Sequence, residues 1–423
     1  MDKKSFILGY SLVVHSIIMY LVSTWIVALS ANYIIPAMAE KYGVLPPVLY
    51  NINTYAALIS VLAAFFLAHM TLKYGVRIVT VISLLICGLA AFLSGFAASV
   101  LVYAIGMVIM FCCAQGYGFV VTNTLMANWF PRKKAVVLGI TTCGTFVGNM
   151  TLTPAFAAIL GRSGIESAMS MYGVLCIVLG VASFFWIKNR PEEAGLFPDN
   201  DSTGLESLQT LKEAAKNYQT AWPVKRLLKT PVLWFFVIGF GFMFLMSSGI
   251  PAQWIPMMVS RGIDPQTALT ILMTSSAVGL VGSVVTGFID KKFGARITSL
   301  IMCGFFLASL VTMAMSTAQN ITIVFIFIIS FFLGGCFNMC PSLAITIFGA
   351  REYNAVNRLI HPLTQVIKSL SFLIIGISAS IAPGAVGTMW AFAICIVITI
   401  VFVLPIVPFK NQDPAGSSEV SLK

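Results

Sequence analysis

The residues best placed to do chemistry lie between Arg351 and Ser380, in the stretch REYNAVNRLIHPLTQVIKSLSFLIIGISAS. Charges crowd its front. A largely apolar run follows, with one ionisable residue, Lys368, near its centre. In a membrane helix rising ~1.5 Å per residue, Lys368 sits ~20 Å from either end, too deep for its ammonium to reach a headgroup comfortably. A cation at that depth is costly, and it usually faces a protein interior or a wet cavity. His361, Gln365 and Lys368 are spaced i, i+4, i+7, so they share one helical face. Pro362 is expected to bend the helix there and free a carbonyl. Lys368 then has two readings: it holds the anionic group of a ligand, or it binds carbonyls of a neighbouring helix or sits neutral.

Other chemistries are thinly supplied. The fourteen Asp and Glu residues fall in tails, loops or a linker, and none sits in the middle of an apolar run. A carboxylate-based proton relay is therefore not expected, and nothing buried would favour a cationic ligand. A cavity with one cation and no acid attracts an anion. The nine cysteines all lie in apolar stretches, and the three histidines, His15, His69 and His361, are scattered, so no metal-ligand spacing and no disulfide framework appears. His361 could add a second positive charge or carry a proton, because imidazole titrates near neutrality. Gly139, Gly144 and Gly148 have the spacing of small residues that let membrane helices approach, and no Lys-Ser/Thr pair follows them as a phosphate loop requires. No cluster of acids, histidines or an activated nucleophile suggests an enzyme, and no cofactor or metal is expected.

These residues need a membrane scaffold to hold them. The chain has 423 residues, 59% hydrophobic and 9% charged, with mean hydropathy +0.95. Soluble domains carry about 25% charged residues, so a polytopic membrane protein is expected. Twelve spans of transmembrane length can be drawn, at 6–35, 46–71, 77–97, 99–128, 133–160 and 166–188, then 231–258, 266–289, 296–317, 320–348, 355–381 and 385–408. The odd-numbered loops hold only Lys41, Arg162 and Arg261 as basic residues, while the even-numbered loops and both tails hold nearly all the others. By the positive-inside rule both termini are cytoplasmic. The net charge of +11 thus orients the protein in a bilayer and does not recruit nucleic acid. Lys3 and Lys4 precede an apolar run too long for a cleavable signal, so the first helix is expected to be its own anchor.

Residues 189–230 are polar and separate six spans from six. They open extended with NRPEEAGLFPDND, continue with ESLQTLKEAAKNYQ as a possible short helix, and close with TAWPVKRLLKTP, a basic piece suited to the inner leaflet surface. The expected division is a six-helix bundle over 1–188, a linker over 189–230, a second bundle over 231–410 and a tail over 411–423. The two bundles echo each other. Gly75 and Arg77 recur as Gly294 and Arg296, and Arg132 as Arg351, each 219 residues later; the Ile-Pro ending span one recurs at an offset of 220 as Ile255-Pro256. Such echoes at equivalent topological places indicate an internal repeat. The same offset pairs Lys368 with Asn149 in span five, a second cavity candidate unless it only makes an interhelical hydrogen bond.

With this plan the chain resembles the major facilitator superfamily. Its loop signature has a degenerate copy after span eight, GFIDKKFGAR, with Asp290 one place early, and a weaker copy after span two, AHMTLKYGVR, where Ala68 and Leu72 replace the Gly and Asp. NWFPRKKAVVLGI, RPEEAGLFPD, LLKTPVLWFF, GIPAQWIPMMVSRGID and IFGAREYNAVN are similar to the oxalate/formate antiporter and monocarboxylate porter branch. The resemblance implies an all-α membrane fold of twelve helices in two pseudo-symmetric halves. Spans one, four, seven and ten would line a central cavity, with two, five, eight and eleven as gates. The branch's oxalate carriers have a span-eleven lysine, which maps onto Lys368, and a span-eight arginine, for which span eight here has no counterpart. One cation suits one carboxylate.

The expected substrate-binding residues are Lys368, His361, Gln365 and Asn149, with Gln115, Gln253, Asn338 and Tyr20 as further mid-span polar groups; any of these could instead be a helix–helix hydrogen bond. Asp290, Lys291, Lys292, Arg296, Arg77 and Arg132 are expected in a cytoplasmic gate. The whole reads as a monomeric carrier in the cytoplasmic membrane that moves a small organic anion, a monocarboxylate by preference, by antiport or proton symport. The alternatives are efflux of a larger amphipathic compound, which 12% aromatic residues would suit, and a membrane sensor that binds ligand without moving it.

Overall fold

The computed structural model describes residues 3–200, 221–349, 352–381 and 385–406. The possible helix within 206–219, Arg351 and the tail 411–423 lie outside them. The described chain is helical from end to end, as a bilayer demands: with no water in the hydrocarbon, backbone groups are satisfied only within helices. Among the described residues, eleven helices are long and apolar enough to cross a membrane. One of them, Val136–Trp186, has 51 residues and is broken at Gly164, whose φ of +77° a side chain would strain. That segment therefore makes two crossings. We number the crossings α1 (Leu8–Leu29), α2 (Pro46–Tyr74), α3 (Val76–Gly95), α4 (Val100–Trp129), α5 and α6 (the two parts of Val136–Trp186), α7 (Pro231–Ser260), α8 (Pro265–Phe293), α9 (Ala295–Met315), α10 (Gln319–Phe348), α11 (Ala355–Ile381) and α12 (Val386–Val403). The protein is a multi-pass membrane protein of twelve helices, in two six-helix halves. Large apolar side chains such as Leu62, Phe65 and Phe66 on α2 and Val281, Val284 and Phe288 on α8 face outward.

Packing within each half relies on small residues. Gly282 on α8 lies so close to the Phe331 carbonyl of α10 that a Cβ would collide with it, and Gly334 meets the Gly279 carbonyl in the same way. In lipid, where apolar surface gains nothing by leaving its solvent, such close backbone approach is what holds helices together. The halves meet along three seams. α2 packs on α11, α5 packs on α8, and α1 meets α7 where both are broken. The first two seams are counterparts under the internal repeat.

Each half also carries a cation clamp on the face of the odd-numbered loops. Lys41 donates to the Gly95 carbonyl at the end of α3 (2.9 Å) and pairs with Glu166 (3.0 Å). Arg261 donates to the Met313 and Ser316 carbonyls at the end of α9, and to Thr322 Oγ1 (2.6 Å) on α10. Both place a positive charge on carbonyls that a helix end leaves unsatisfied. Arg261→Gln is expected to lower stability by about 2 kcal/mol, because hydrogen bonds to a charged group are among the stronger ones and three partners lose theirs. A melting curve of the detergent-solubilised protein checks this; an unchanged midpoint would show the clamp to be ornamental.

The linker is tied to both halves. Asp199 accepts the amides of Arg132 and Lys133 (3.1 and 3.3 Å) between α4 and α5, while Glu352, ahead of α11, accepts the amide of Ala221 (2.8 Å). In the basic closing piece Leu227 is fully buried, Trp222 packs edge-on against Phe348, and Leu228 is exposed.

Candidate functional site

Four helices lose regular geometry part-way along their length. α1 has a π-helical turn at Trp25–Leu29 and α4 has one at Gln115–Val120. α7 is interrupted by a 3-10 turn at Pro251–Gln253, because Pro251 lacks the N–H a continuous helix needs. α11 is interrupted at Leu370, just past Lys368. The sequence pattern had placed that bend at Pro362, yet Pro362 lies inside an unbroken helical segment, Tyr353–Ser369. Pro362 stands nine residues into that segment, where it takes one amide out of the ladder without ending the helix, and the break follows at Leu370, two residues past Lys368. Interruptions of this kind gather at functional sites.

Between the halves is a cavity of about 420 Å³. His361, Gln365 and Lys368 all line it, together with Asn149, Gln115, Asn338 and Tyr20. Gln253 does not; it is buried in the α7 interruption, where its Nε2 has no partner among the described residues. Asn149 serves the wall and the seam at once. It donates to Ser276 Oγ of the other half (2.7 Å) and accepts from Thr153 (3.1 Å), which in turn accepts from Trp25 Nε1 (3.1 Å). Its interhelical bond is therefore real, and so is its place on the cavity. His15 is a core residue: it is hydrogen-bonded to Ser183 (2.8 Å) and lies edge-on to Trp186, away from the cavity.

Lys368 Nζ stands 5.3 Å from the centre of the Phe337 ring, which stacks on Phe244. Among the described residues it has no carboxylate partner and no hydrogen-bond acceptor. A ring face stabilises an ammonium by about 0.5–2 kcal/mol, well short of an ion pair in a dry site. No Asp or Glu lines the cavity among the described residues. The site thus presents an uncompensated cation on an otherwise neutral wall.

Several lining residues escaped the sequence pattern. Asn357 stands one turn before His361 on the same face, and extending the i, i+4 spacing backwards would have found it. The serines of α7 and α8 (Ser247, Ser248, Ser275, Ser276) look like packing residues in sequence, and several donate to carbonyls of their own helix.

The cavity is shut toward the odd-numbered loops. There Asn32, only 2% exposed, donates to Pro251 O (2.8 Å) and Leu29 O (3.0 Å), and accepts the Ile255 amide (3.0 Å). Toward the other face it reaches Leu138 and Tyr353, near the starts of α5 and α11. On that face the residues expected to form a gate brace the inside of each half. Arg77 stacks on Phe184 at 4.1 Å and its amide donates to Asn189 (2.9 Å); Arg296 donates to the Leu404 carbonyl; Asp290 accepts from Ser342 (2.7 Å). Lys292 lies over the neighbouring Phe293 ring, and for Lys291 no partner is found among the described residues.

The model of the major facilitator superfamily matches residues 16–371. The chain belongs to that superfamily. Its members are membrane carriers, not enzymes. Two curated relatives illustrate the spread. The membrane sensor protein UhpC of Salmonella typhimurium is 25% identical over 221 residues, 51% of this chain and 49% of that one. A protein named "Probable sulfoacetate transporter SauU", from Cupriavidus necator, is 23% identical over 238 residues, 54% of this chain and 52% of that one. The chain thus spans about half the length of the curated relatives it matches. Among solved structures, a D-xylose-proton symporter superposes with TM-score 0.72 at 11% identity, covering 96% of this chain and 98% of the other. At that identity the likeness concerns the superfamily fold alone.

Proposed function

We propose that this superfamily member is a secondary transporter of small organic anions, with a monocarboxylate as the preferred class and Lys368 as the group that pairs with the carboxylate. The observation that carries this reading is the Lys368 ammonium, unpaired among the described residues, on a cavity that none of their acids lines. An anion ~4 Å from it gains about 4 kcal/mol at an effective dielectric of 20, on top of what the cavity surface supplies. The similarity to a protein named for sulfoacetate, itself an organic anion, supports the class. So do the motifs similar to the oxalate/formate and monocarboxylate branch, and the lack of a second cation on α8 favours one carboxylate over two.

The positive-inside pattern puts both termini and the even-numbered loops in the cytoplasm. On that orientation the cavity faces inward, and Asn32 closes the outer side. Transport proceeds by alternating access of the two halves, with the protein acting as a monomer. Exchange follows from the same electrostatics. An empty carrier that closed on both sides would bury an unpaired ammonium, which costs several kcal/mol, whereas a loaded one would not. Return with a second anion is thereby the easier path. The bracing of Arg77, Arg296 and Asp290 within the halves keeps each a rigid body while the seams between them open and close.

The test is exchange in proteoliposomes. Vesicles preloaded with unlabelled short carboxylates should take up labelled acid faster than empty ones, and the most effective preload names the exchange partner. If no acid moves under any preload, the anion-transport reading is lost. The UhpC likeness favours one second reading, a sensor that binds ligand and does not move it. Saturable carboxylate binding in detergent with no flux in vesicles would select that alternative.

A further inference from the structure

Lys368 belongs to the C-terminal half. A ligand held by that half alone would bind the inward and outward states equally and could not bias the movement between them. Some group of the N-terminal wall must engage it as well. That wall carries three side-chain amides, Gln115, Asn123 and Asn149. Asn149 has both ends engaged, by Ser276 and Thr153. Gln115 directs its amide nitrogen to Ser60 on α2 (3.4 Å). Asn123 differs. Its Oδ1 accepts the Tyr20 hydroxyl (3.2 Å), and its Nδ2 has no acceptor among the described residues although the residue lines the cavity. Tyr20 is itself held edge-on to Phe119, with ring centres 5.2 Å apart. With Tyr20 taking the carbonyl end, the amide presents both N–H donors to the cavity.

We propose that Asn123, positioned by Tyr20, is a specificity-determining residue. It donates to an oxygen at the end of the substrate remote from the carboxylate that Lys368 holds. The favoured substrates are then short acids that carry an oxygen acceptor on the carbon farthest from the carboxylate, as terminal hydroxy and oxo acids do, over plain aliphatic acids with the same number of carbons. This rests on the anion-transport reading and goes beyond it. A plain acid leaves the Asn123 donors facing an alkyl group, and donors stripped of water without a partner cost binding.

The experiment compares carbon-matched pairs (propionate with 3-hydroxypropionate, acetate with glycolate) in proteoliposome exchange, and reads the ratio of kcat/KM within each pair. Wild type should favour the oxygenated member roughly ten-fold. Asn123→Leu should bring that ratio close to one, and Tyr20→Phe should lower it by letting the amide turn. A merely structural role would reduce both members of a pair alike and leave the ratio where it was. Should the leucine variant fail to assemble, Asn123→Ala makes the same comparison, since it too removes the donors. If wild type moves both members equally well, or Asn123→Leu keeps the preference, the assignment is overturned while anion transport stands. If no acid of either kind moves in wild type, both readings fall together.

Discussion

Lys368→Met should abolish carboxylate exchange and at the same time raise the melting temperature. The loss of exchange follows because no other lysine or arginine lines the cavity among the described residues, and methionine keeps nearly the length of the side chain without its charge. The gain in stability follows from what the ammonium lacks. It lies over the Phe337 ring and has no acidic partner among the described residues, so the empty protein bears the cost of a poorly solvated charge. A lysine at the centre of a membrane helix costs about 2.5–3.5 kcal/mol, and a wet cavity recovers part of that. Methionine should therefore stabilise by ~1–2 kcal/mol, a shift of a few degrees. Lys368→Arg keeps the charge but replaces a point donor by a planar fork, so it should bind carboxylates and move them slowly. Opposite movements of flux and stability mark a functional residue. A variant that melts lower and still exchanges would make Lys368 a structural contact, and amphipathic efflux substrates would become the better candidates.

Asn32→Ala should release the closure toward the odd-numbered loops. The break in α7 leaves the Pro251 carbonyl and the Ile255 N–H without partners in their own helix, and both are met by one side chain from the opposite half. Alanine would leave both groups buried and unsatisfied as long as that side stayed shut. Each such group costs about 1–3 kcal/mol, and opening the side to water removes the cost. The closed arrangement should lose about 2–4 kcal/mol relative to the open one, a change of roughly 30- to 1000-fold in their ratio. Spin labels at Leu45 and Gln266, which are exposed on that face in opposite halves, would report it as a longer distance. An unaltered distance distribution would mean that the α2–α11 and α5–α8 seams set the state without Asn32. The two variants probe different things, since Lys368→Met removes the ligand's partner and Asn32→Ala changes which side the cavity faces.

What could be read from the sequence was what local geometry dictates. Apolar runs of membrane length gave the twelve crossings, because a helix is the only open-chain structure whose backbone is satisfied in lipid. The fixed rotation per residue along a helix put His361, Gln365 and Lys368 on one wall, and would have added Asn357. The absence of mid-span acids was visible as composition, and with it the neutrality of the wall around Lys368. The repeat offset also pointed to Asn149, which lines the cavity, since the two halves place equivalent positions at equal depth.

Tertiary structure alone decided which polar residues meet. Asn32 and Ile255 are 223 residues apart, and no periodicity relates the side chain of one to the amide of the other. Gln253 and Tyr20 look equally good as mid-span polar residues, yet the 3-10 turn in α7 turns the first away from the cavity, and packing turns the second into it. His15 is claimed by Ser183 on α6, and Arg77 and Arg296 are claimed by Phe184 and the Leu404 carbonyl within their own halves. The physical reason is common to all of them. A helix fixes the direction of its side chains relative to one another, but which neighbour they face depends on how twelve helices pack and where each one breaks, and those are sums over contacts far apart in the chain.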